Sequence, residues 1–310
     1  MLTTKHSKTV VGAIVRNKPV SISKKIYFMN PEEMSKIKKP ERKRRKMYSE
    51  EDSDDDDDDD DDGFTVGRPQ PKYFKEITAK PGFHCEPIYR GEERFAIFIA
   101  GAQGCGKSYW IKEFLKEYRI IHPKRPIYLF TGLTEIDKHF AKLIERKIMR
   151  RVVMDQETIE SINLDDFRVD YETDKRRGCL IIFDDTDRIR DKVLMKKVYD
   201  LLNDALCNGR DHTTQKGEAD IDLVITNHEI NDYQRTKSMI NNCNYVVLFP
   251  QCSPATQLNI CIDKIGMSKA ARDYVLSYDA SRSVIIHKTH PMYCITNDKI
   301  FLLRGLDKSK

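Results

Sequence analysis

The sequence lacks any pair of cysteines spaced as Cys-x-x-Cys, although it holds eight: Cys85, Cys105, Cys179, Cys207, Cys243, Cys252, Cys261 and Cys294. Scattered cysteines, several inside apolar stretches that read as buried strands or helices, favour free thiols in a reducing compartment over a disulfide framework. Cys252 and Cys261 with His287 and His290 are spaced wrongly for the common zinc sites. No apolar run approaches the length of a membrane span, and the N-terminus has no apolar core of a secretory signal. The expectation is a soluble intracellular chain, and 310 residues suffice for one large α/β domain or two small ones with a substantial core.

Charge is unevenly spread. The formal net charge is +5, but Lys36–Asp62 carries eight Lys/Arg against thirteen Asp/Glu, so the remainder carries +10. A basic folded part suits a polyanionic partner and suits solubility equally. The block KIKKPERKRRK (Lys36–Lys46) is followed by Glu50, Glu51, Asp52 and the run Asp54–Asp62. Like charges repel and offer nothing to bury, so this stretch is expected to be disordered. The basic block fits nuclear import or nucleic-acid contact, and fits as well a solvated linker whose two halves screen each other. The acidic run is also placed to compete with DNA for the basic face. Residues 1–30 alternate short apolar stretches with basic ones, which fits either a hairpin or an arm. The chain therefore divides into an N-terminal arm (1–35), a disordered basic then acidic segment (36–63) and a folded domain (64–310).

The domain is organised around Arg94–Trp110, RFAIFIAGAQGCGKSYW. An apolar run, Phe95–Ala100, leads into Gly101, four residues, Gly106, Lys107 and Ser108, which is the spacing of a phosphate-binding loop. A polyphosphate must be wrapped by backbone N–H groups, and glycines such as Gly101, Gly104 and Gly106 let the chain approach closely. Ala102, Gln103, Cys105 and Tyr109 complete the candidate nucleotide-binding set. Lys107 is suited to the β- and γ-phosphates and Ser108 to Mg²⁺, and the helix that starts here aims its positive end at the anion.

A second stretch, Cys179–Asp187 (CLIIFDDTD), reads as a buried strand delivering Asp184 and Asp185 to its C-terminal edge, where open α/β sheets bind ligands. Asp184 is expected to hold Mg²⁺ opposite Ser108, and Asp185 to polarise an attacking water. Ile221–Thr226 is a further buried strand, and Asn227 beyond it is either a γ-phosphate sensor or a turn cap. Remaining strands are read at Pro126–Phe130, Arg151–Met154, Tyr245–Phe249, Val284–His287, Tyr293–Ile295 and Ile300–Leu303. Helices are read at Trp110–Tyr118, Glu135–Ile148, 155–167, Val193–Cys207, Asp232–Asn242 and Ser268–Leu276. Prolines at 69, 71, 81 and 87 suggest an extended lead-in. Strands alternating with helices predict a mostly parallel sheet covered on both faces, with a small C-terminal β element. The 77 residues between Lys107 and Asp184 leave room for a further strand between the two motifs.

Taken together, GAQGCGKS, LIIFDD, NGRDH before a strand ending in ITNH, and NNCNYVVLF resemble the genome-packaging ATPases of nucleocytoplasmic large DNA viruses, in the FtsK/HerA group of P-loop motors. The resemblance covers residues 90–305, with its strongest motifs at the first two. It implies a RecA-like, additional-strand P-loop NTPase core. It also implies an ATP- and Mg²⁺-dependent motor, assembled as a hexameric ring, that drives double-stranded DNA into a capsid with capsid or portal components as partners. Such a protein works in the host cytoplasm, at a viral factory, or in the virion. Position by position, Lys107 and Ser108 match phosphate and Mg²⁺ contacts, Asp184 the Mg²⁺ carboxylate, Asp185 the catalytic carboxylate, and Arg210 an arginine reaching a neighbour's γ-phosphate. Arg188, Arg190 and Arg235 are rivals for that last role. Two departures stand out: many members have Glu at the position of Asp185 and Gln at that of Asn227. Two other classes stay open, a small-molecule phosphotransferase, which would need an Arg-rich lid that the chain does not display, and a nucleotide-dependent assembly protein without motor activity.

Overall fold

The computed structural model describes residues 2–3, 9–17, 20–28, 64–66, 76–86, 94–133, 135–170, 175–176, 178–210, 220–228, 233–279, 281–289 and 291–303. The charged segment 36–63, read above as disordered, lies outside them, as do residues 211–219.

Strands are β1 (Leu2–Thr3), β2 (Thr9–Asn17), β3 (Val20–Phe28), β4 (Phe64–Val66), β5 (Glu76–Ala79), β6 (Phe83–Glu86), β7 (Ala96–Ala100), β8 (Ile127–Thr131), β9 (Met149–Val153), β10 (Val169–Asp170), β11 (Lys175–Arg176), β12 (Cys179–Asp184), β13 (Ile221–Asn227), β14 (Tyr245–Leu248), β15 (Val284–His287), β16 (Tyr293–Ile295) and β17 (Lys299–Leu302). Helices are α1 (Lys107–Ile121), α2 (Lys138–Glu145), α3 (Gln156–Ser161), α4 (Lys192–Asn208), α5 (Tyr233–Asn242), α6 (Ala255–Ile265) and α7 (Lys269–Leu276).

One eleven-stranded sheet, in the order β4-β5-β17-β16-β15-β14-β7-β13-β12-β8-β9, carries the domain. Its six strands from β14 to β9 run parallel. They need apolar side chains on both faces because helices cover both. In β7, Ile97 and Ile99 face a layer that contains Ile111, Leu115 and Tyr118 of α1 and Phe140 of α2. Phe98 and Ala100 face the opposite layer, with Val198 and Leu202 of α4, Met239 of α5, Ile262 of α6 and Val275 of α7. The period of two in each strand therefore feeds two cores at once.

Helix boundaries follow local chemistry. In α1, Ile111, Phe114, Leu115 and Tyr118 repeat at the spacing of one helical face and are all buried. Asp191 caps α4 by accepting from Val193 N and Leu194 N, and Ser268 caps α7 by accepting from Ala271 N. Helix α2 is shorter than the expected Glu135–Ile148: Asp137 caps its start, and Lys147, at φ 55°, turns the chain out of the helix toward β9. Helix α6 was not foreseen, although Pro254 before it and left-handed Gly266 (φ 73°) after it are the usual punctuation.

The C-terminal strands form the expected small β element, and it is continuous with the main sheet. β15, β16 and β17 continue the main sheet by antiparallel pairing from β14, and β5 and β4, from the stretch read as a lead-in, complete that end. β2 and β3 pair antiparallel and β2 also pairs with β6, so the N-terminal residues described here form a hairpin extended by a strand of the domain. Ile14 of that hairpin is buried in the same apolar layer as Ile77 and Cys85.

Candidate functional site

The C-terminal ends of β7, β13 and β12 lie side by side, and the site is built on them. β13 pairs in parallel with β7 on one side and with β12 on the other, so an extra strand separates the phosphate loop from the twin carboxylates. That strand follows both motifs in the chain, whereas β8 and β9, which lie between them in sequence, stand beyond β12.

The loop from Gly101 to Gly106 needs its glycines for different reasons. Gly104 (φ 77°) and Gly106 (φ 111°) sit in backbone conformations that side chains rarely adopt. At Gly101 the constraint is space: a Cβ there would stand 2.6 Å from Cys105 Sγ and 3.0 Å from Phe249 Cδ2. Ala102 N donates to Ser253 Oγ (3.4 Å), and Arg282 donates from Nε to Cys105 O (2.9 Å) and from Nη2 to Gly104 O (3.3 Å). The loop is thus braced from behind by residues beyond β14, and Gly101 N and Cys105 N donate to Asn227 O and Ala102 O, so it is the start of α1 that faces a ligand.

Lys107 is only 6% exposed and donates to Gly101 O (2.8 Å) and Ala102 O (3.2 Å). Its Nζ also lies 2.9 Å from His228 Nδ1. Burial lowers its pKa, with Cys105 and the carboxylates of Asp185, Asp187 and Asp184 pulling the other way. On the far side of His228, Nε2 is 2.5 Å from Asp185 Oδ1, while the His228 backbone N–H donates to Asp187 Oδ2 (2.7 Å). One imidazole therefore spans the distance from the loop lysine to the second carboxylate.

Asp184 and Asp185, adjacent in sequence, differ in environment. Asp184 is 5% exposed, and burial, then the neighbouring charge of Asp185, pushes its pKa up to about 6. Burial pushes Asp185 up as well, but His228, Arg188 and Lys107 outweigh it and hold this carboxyl below its ordinary value. Asp185 adopts left-handed backbone (φ 54°), which turns its side chain out of the strand register. Thr226, fully buried on β13, joins the pair: its hydroxyl donates to Asp184 Oδ1 (2.7 Å) and accepts from Asp185 N (3.1 Å).

A cleft of about 540 Å³ opens between these parts, with Lys107, Ser108, Tyr109, Asp137, Asp185 and His228 among its walls. That volume suits a nucleotide. Ser108 on one wall and buried Asp184 behind the other supply a hydroxyl and a carboxylate whose negative charge the protein itself compensates poorly. This donor set fits a hard divalent cation bound with a triphosphate.

Not every expected site residue joins the cluster. Gln103 does line the cleft, and it accepts from Arg188 Nη2 (3.1 Å), whose Nε lies 3.9 Å from Asp185. Asn227 does not face the cleft; it is 2% exposed, accepts from Thr186 Oγ1 (3.3 Å) and lies against Met239 Sδ (3.7 Å). The strand ends one residue later than a sensor at Asn227 requires, and His228 takes the position in the cleft. Arg210 is exposed and sits at the opposite edge of the sheet, where Gly209 O accepts from Ile221 N at the start of β13. That is a strand's length, roughly 20 Å, from the phosphate loop. Thr226, His228, Arg282 and Ser253 were missed; only His228, next to an assigned strand end, had a sequence signal.

Strand order and phosphate loop together define the additional-strand class of P-loop NTPase fold. No protein-family model matches the chain. An uncharacterized protein, V3, of the Sputnik virophage is 29% identical over 210 residues, covering 67% of this chain and 75% of that protein. Among solved structures, B204, the DNA-packaging ATPase of Sulfolobus turreted icosahedral virus, aligns with a TM-score of 0.46 at 16% identity, over 67% of this chain and 98% of B204. The cytoplasmic domain of the Type VII secretion ATPase EccC of Thermomonospora curvata aligns with a TM-score of 0.43 at 14% identity, over 75% of this chain and 29% of that one.

Proposed function

We propose that this protein is an ATP-hydrolysing motor that translocates double-stranded DNA, packaging a viral genome into its capsid. The observation that carries the nucleotide part is the span Lys107–His228–Asp185 across the tip of β13, with Asp184 and Ser108 beside it. The motor part is supported by the resemblance of the four motifs and by the basic balance of the chain outside Lys36–Asp62, and the viral setting by the virophage relative.

In this reading the start of α1 holds the phosphates, and Lys107 leaves its own loop carbonyls for the β- and γ-phosphates. Ser108 and Asp184 are the residues that would hold Mg²⁺, and the ion would supply charge neutralisation at the phosphates. Asp185 orients the attacking water and accepts its proton, and its lowered pKa keeps it ionised for that task. His228, in place of Asn227, senses the γ-phosphate because it touches both Lys107 and Asp185. Arg210 serves a neighbouring subunit of a hexameric ring, and capsid or portal components dock the ring. The place of work is the viral factory or the virion.

Steady-state phosphate release and binding of a fluorescent ATP analogue test this. Lys107→Ala abolishes binding, whereas Asp185→Asn binds normally and loses turnover by at least about 100-fold. The rate rises with added duplex DNA and falls steeply with salt, since phosphate contacts release counterions. Near-normal turnover in Asp185→Asn removes that residue from its role, and a rate indifferent to DNA and to protein concentration refutes the ring motor.

A further inference from the structure

The segment Lys138–Arg151 (KHFAKLIERKIMRR) carries six Lys/Arg against one Glu, the same net charge as the whole chain. It spans α2 and most of β9, the last strand at one end of the sheet. In α2 the inward face holds Phe140, fully buried, with Leu143 and Ile144 packed against the same core. Lys138, Lys142 and Arg146 recur every fourth residue on the opposite side and are exposed, as are Lys147 and Arg150 just beyond. Positions four apart on a helix are roughly 6 Å apart along its axis.

The exposed cations of this stripe make no ion pair among the described residues, Arg150 lying only over the Tyr128 ring at 6.0 Å, whereas several other basic residues are engaged inside the fold. Arg94 is spent on three backbone carbonyls, Arg125 on Asp222, Arg282 on the phosphate loop, Lys288 on the end of α5 and Lys299 on Tyr274 and Glu76. Among the described residues, no carboxylate lies within ion-pair distance of Lys138, Lys142, Arg146, Lys147 or Arg150. Five exposed cations outside ion-pair distance of any described carboxylate, with Glu145 the one acid among them, raise the potential of this edge, and a polyanion of regular charge spacing fits it.

The position adds a second argument. The start of α2 is a wall of the nucleotide cleft, through Asp137, Lys138 and His139. Tyr109, directly after Ser108, meets His139 edge-on at 6.1 Å between ring centroids. A change at the triphosphate therefore reaches the basic helix through one side-chain contact.

Resting on the motor reading above, we infer that the exposed stripe of α2, with Lys147 and Arg150 at the sheet edge, is the surface that grips the phosphodiester backbone of duplex DNA. It supplies affinity without base recognition, because lysines and arginines on phosphates carry no sequence information. Charges on an edge strand also prevent edge-to-edge pairing, but that role is indifferent to DNA.

The test uses the full chain, a dye-labelled duplex of random sequence in fluorescence anisotropy, and ATPase rates with and without the same duplex. The variant is Lys142→Glu/Arg146→Glu, which leaves the cleft residue Lys138 in place. The comparison variant, Lys192→Glu/Lys196→Glu on α4, makes the same charge change on the opposite sheet face. The first variant keeps the basal ATPase rate, weakens duplex binding by about 10-fold or more and loses DNA stimulation. Its slope of log affinity against log salt shrinks by about two, one contact per residue. The comparison variant changes these quantities less than about twofold. Should the first variant fail to fold by thermal melting, Lys142→Gln/Arg146→Gln is read the same way. Equal weakening by both pairs, or wild-type binding by the first, overturns this surface while leaving the motor intact. A wild-type protein that neither binds duplex nor responds to it overturns the motor reading itself, and the surface with it.

Discussion

Replacing Thr226 by Val removes one hydroxyl and almost no volume, yet that hydroxyl serves both carboxylates of the site. It donates to Asp184 Oδ1 at 2.7 Å and accepts the Asp185 N–H at 3.1 Å, in a side chain with no solvent exposure. The first bond is charge-assisted and worth about 1.5–3 kcal/mol; orphaning the part-buried Asp185 N–H costs about 1 kcal/mol, and the two are not strictly additive. A net loss of about 3 kcal/mol corresponds to a drop in Tm of roughly 6–12 °C for a domain of this size. Function suffers separately. Asp185 holds a left-handed backbone (φ 54°), a conformation that persists only where surrounding contacts enforce it, and Thr226 supplies one of them. A shift of about 1 Å in the carboxylate lowers kcat by about 100-fold, while affinity for a fluorescent ATP analogue stays within about threefold. Thr226→Ser keeps the hydroxyl and serves as the matched control. Thermal melting and single-turnover phosphate release read the two effects. If Val and Ser behave alike, or if Val loses nucleotide affinity but not kcat, the bridging role is wrong.

Arg282 braces the phosphate loop through two carbonyls, so Arg282→Ala weakens nucleotide binding about 3- to 10-fold with kcat at saturation little changed. Arg282→Lys recovers less than half of that, lacking the planar fork; full recovery would reduce the contact to simple charge. His122 packs against Tyr118 (4.9 Å between ring centroids), and burial, then Arg125, pushes its pKa down to about 4. The folded form thus binds fewer protons than the unfolded chain between that value and 6.5, so this contribution to stability is whole above about pH 6.5 and is lost as pH falls toward 4. Melting of His122→Gln across that window should show a shallower fall in Tm than wild type; parallel curves would place the ring in solvent.

Burial of Asp222 shows how the far edge of the sheet is held. It accepts from Phe95 N, Tyr118 Oη and the Arg125 guanidinium, tying the starts of β7 and β13 to the end of α1. The helix that begins at the phosphate loop is therefore anchored at its other end to the same two strands that flank the site. The described helices include none long and apolar enough to cross a membrane.

What the sequence determined by itself is local. Continuous apolar runs such as Ala96–Ala100 and Cys179–Asp184 mark strands covered on both faces, because no alternating pattern survives when both faces are dry. Glycines at 104 and 106 announce backbone that only they adopt easily, and the residues after them announce a phosphate. The tertiary structure alone decided which strands neighbour each other. It put β13, late in the chain, between two earlier motifs, and joined β4 and β5 to the end of a sheet begun by β14–β15 pairing. It also brought Thr226 and His228 to Asp184, Asp185 and Lys107, and Arg282 to a loop 177 residues away. Strand neighbours are chosen by which faces bury together across the whole chain, and no local period encodes that choice. The loop's chemistry could therefore be read residue by residue, whereas its partners had to be delivered by the fold.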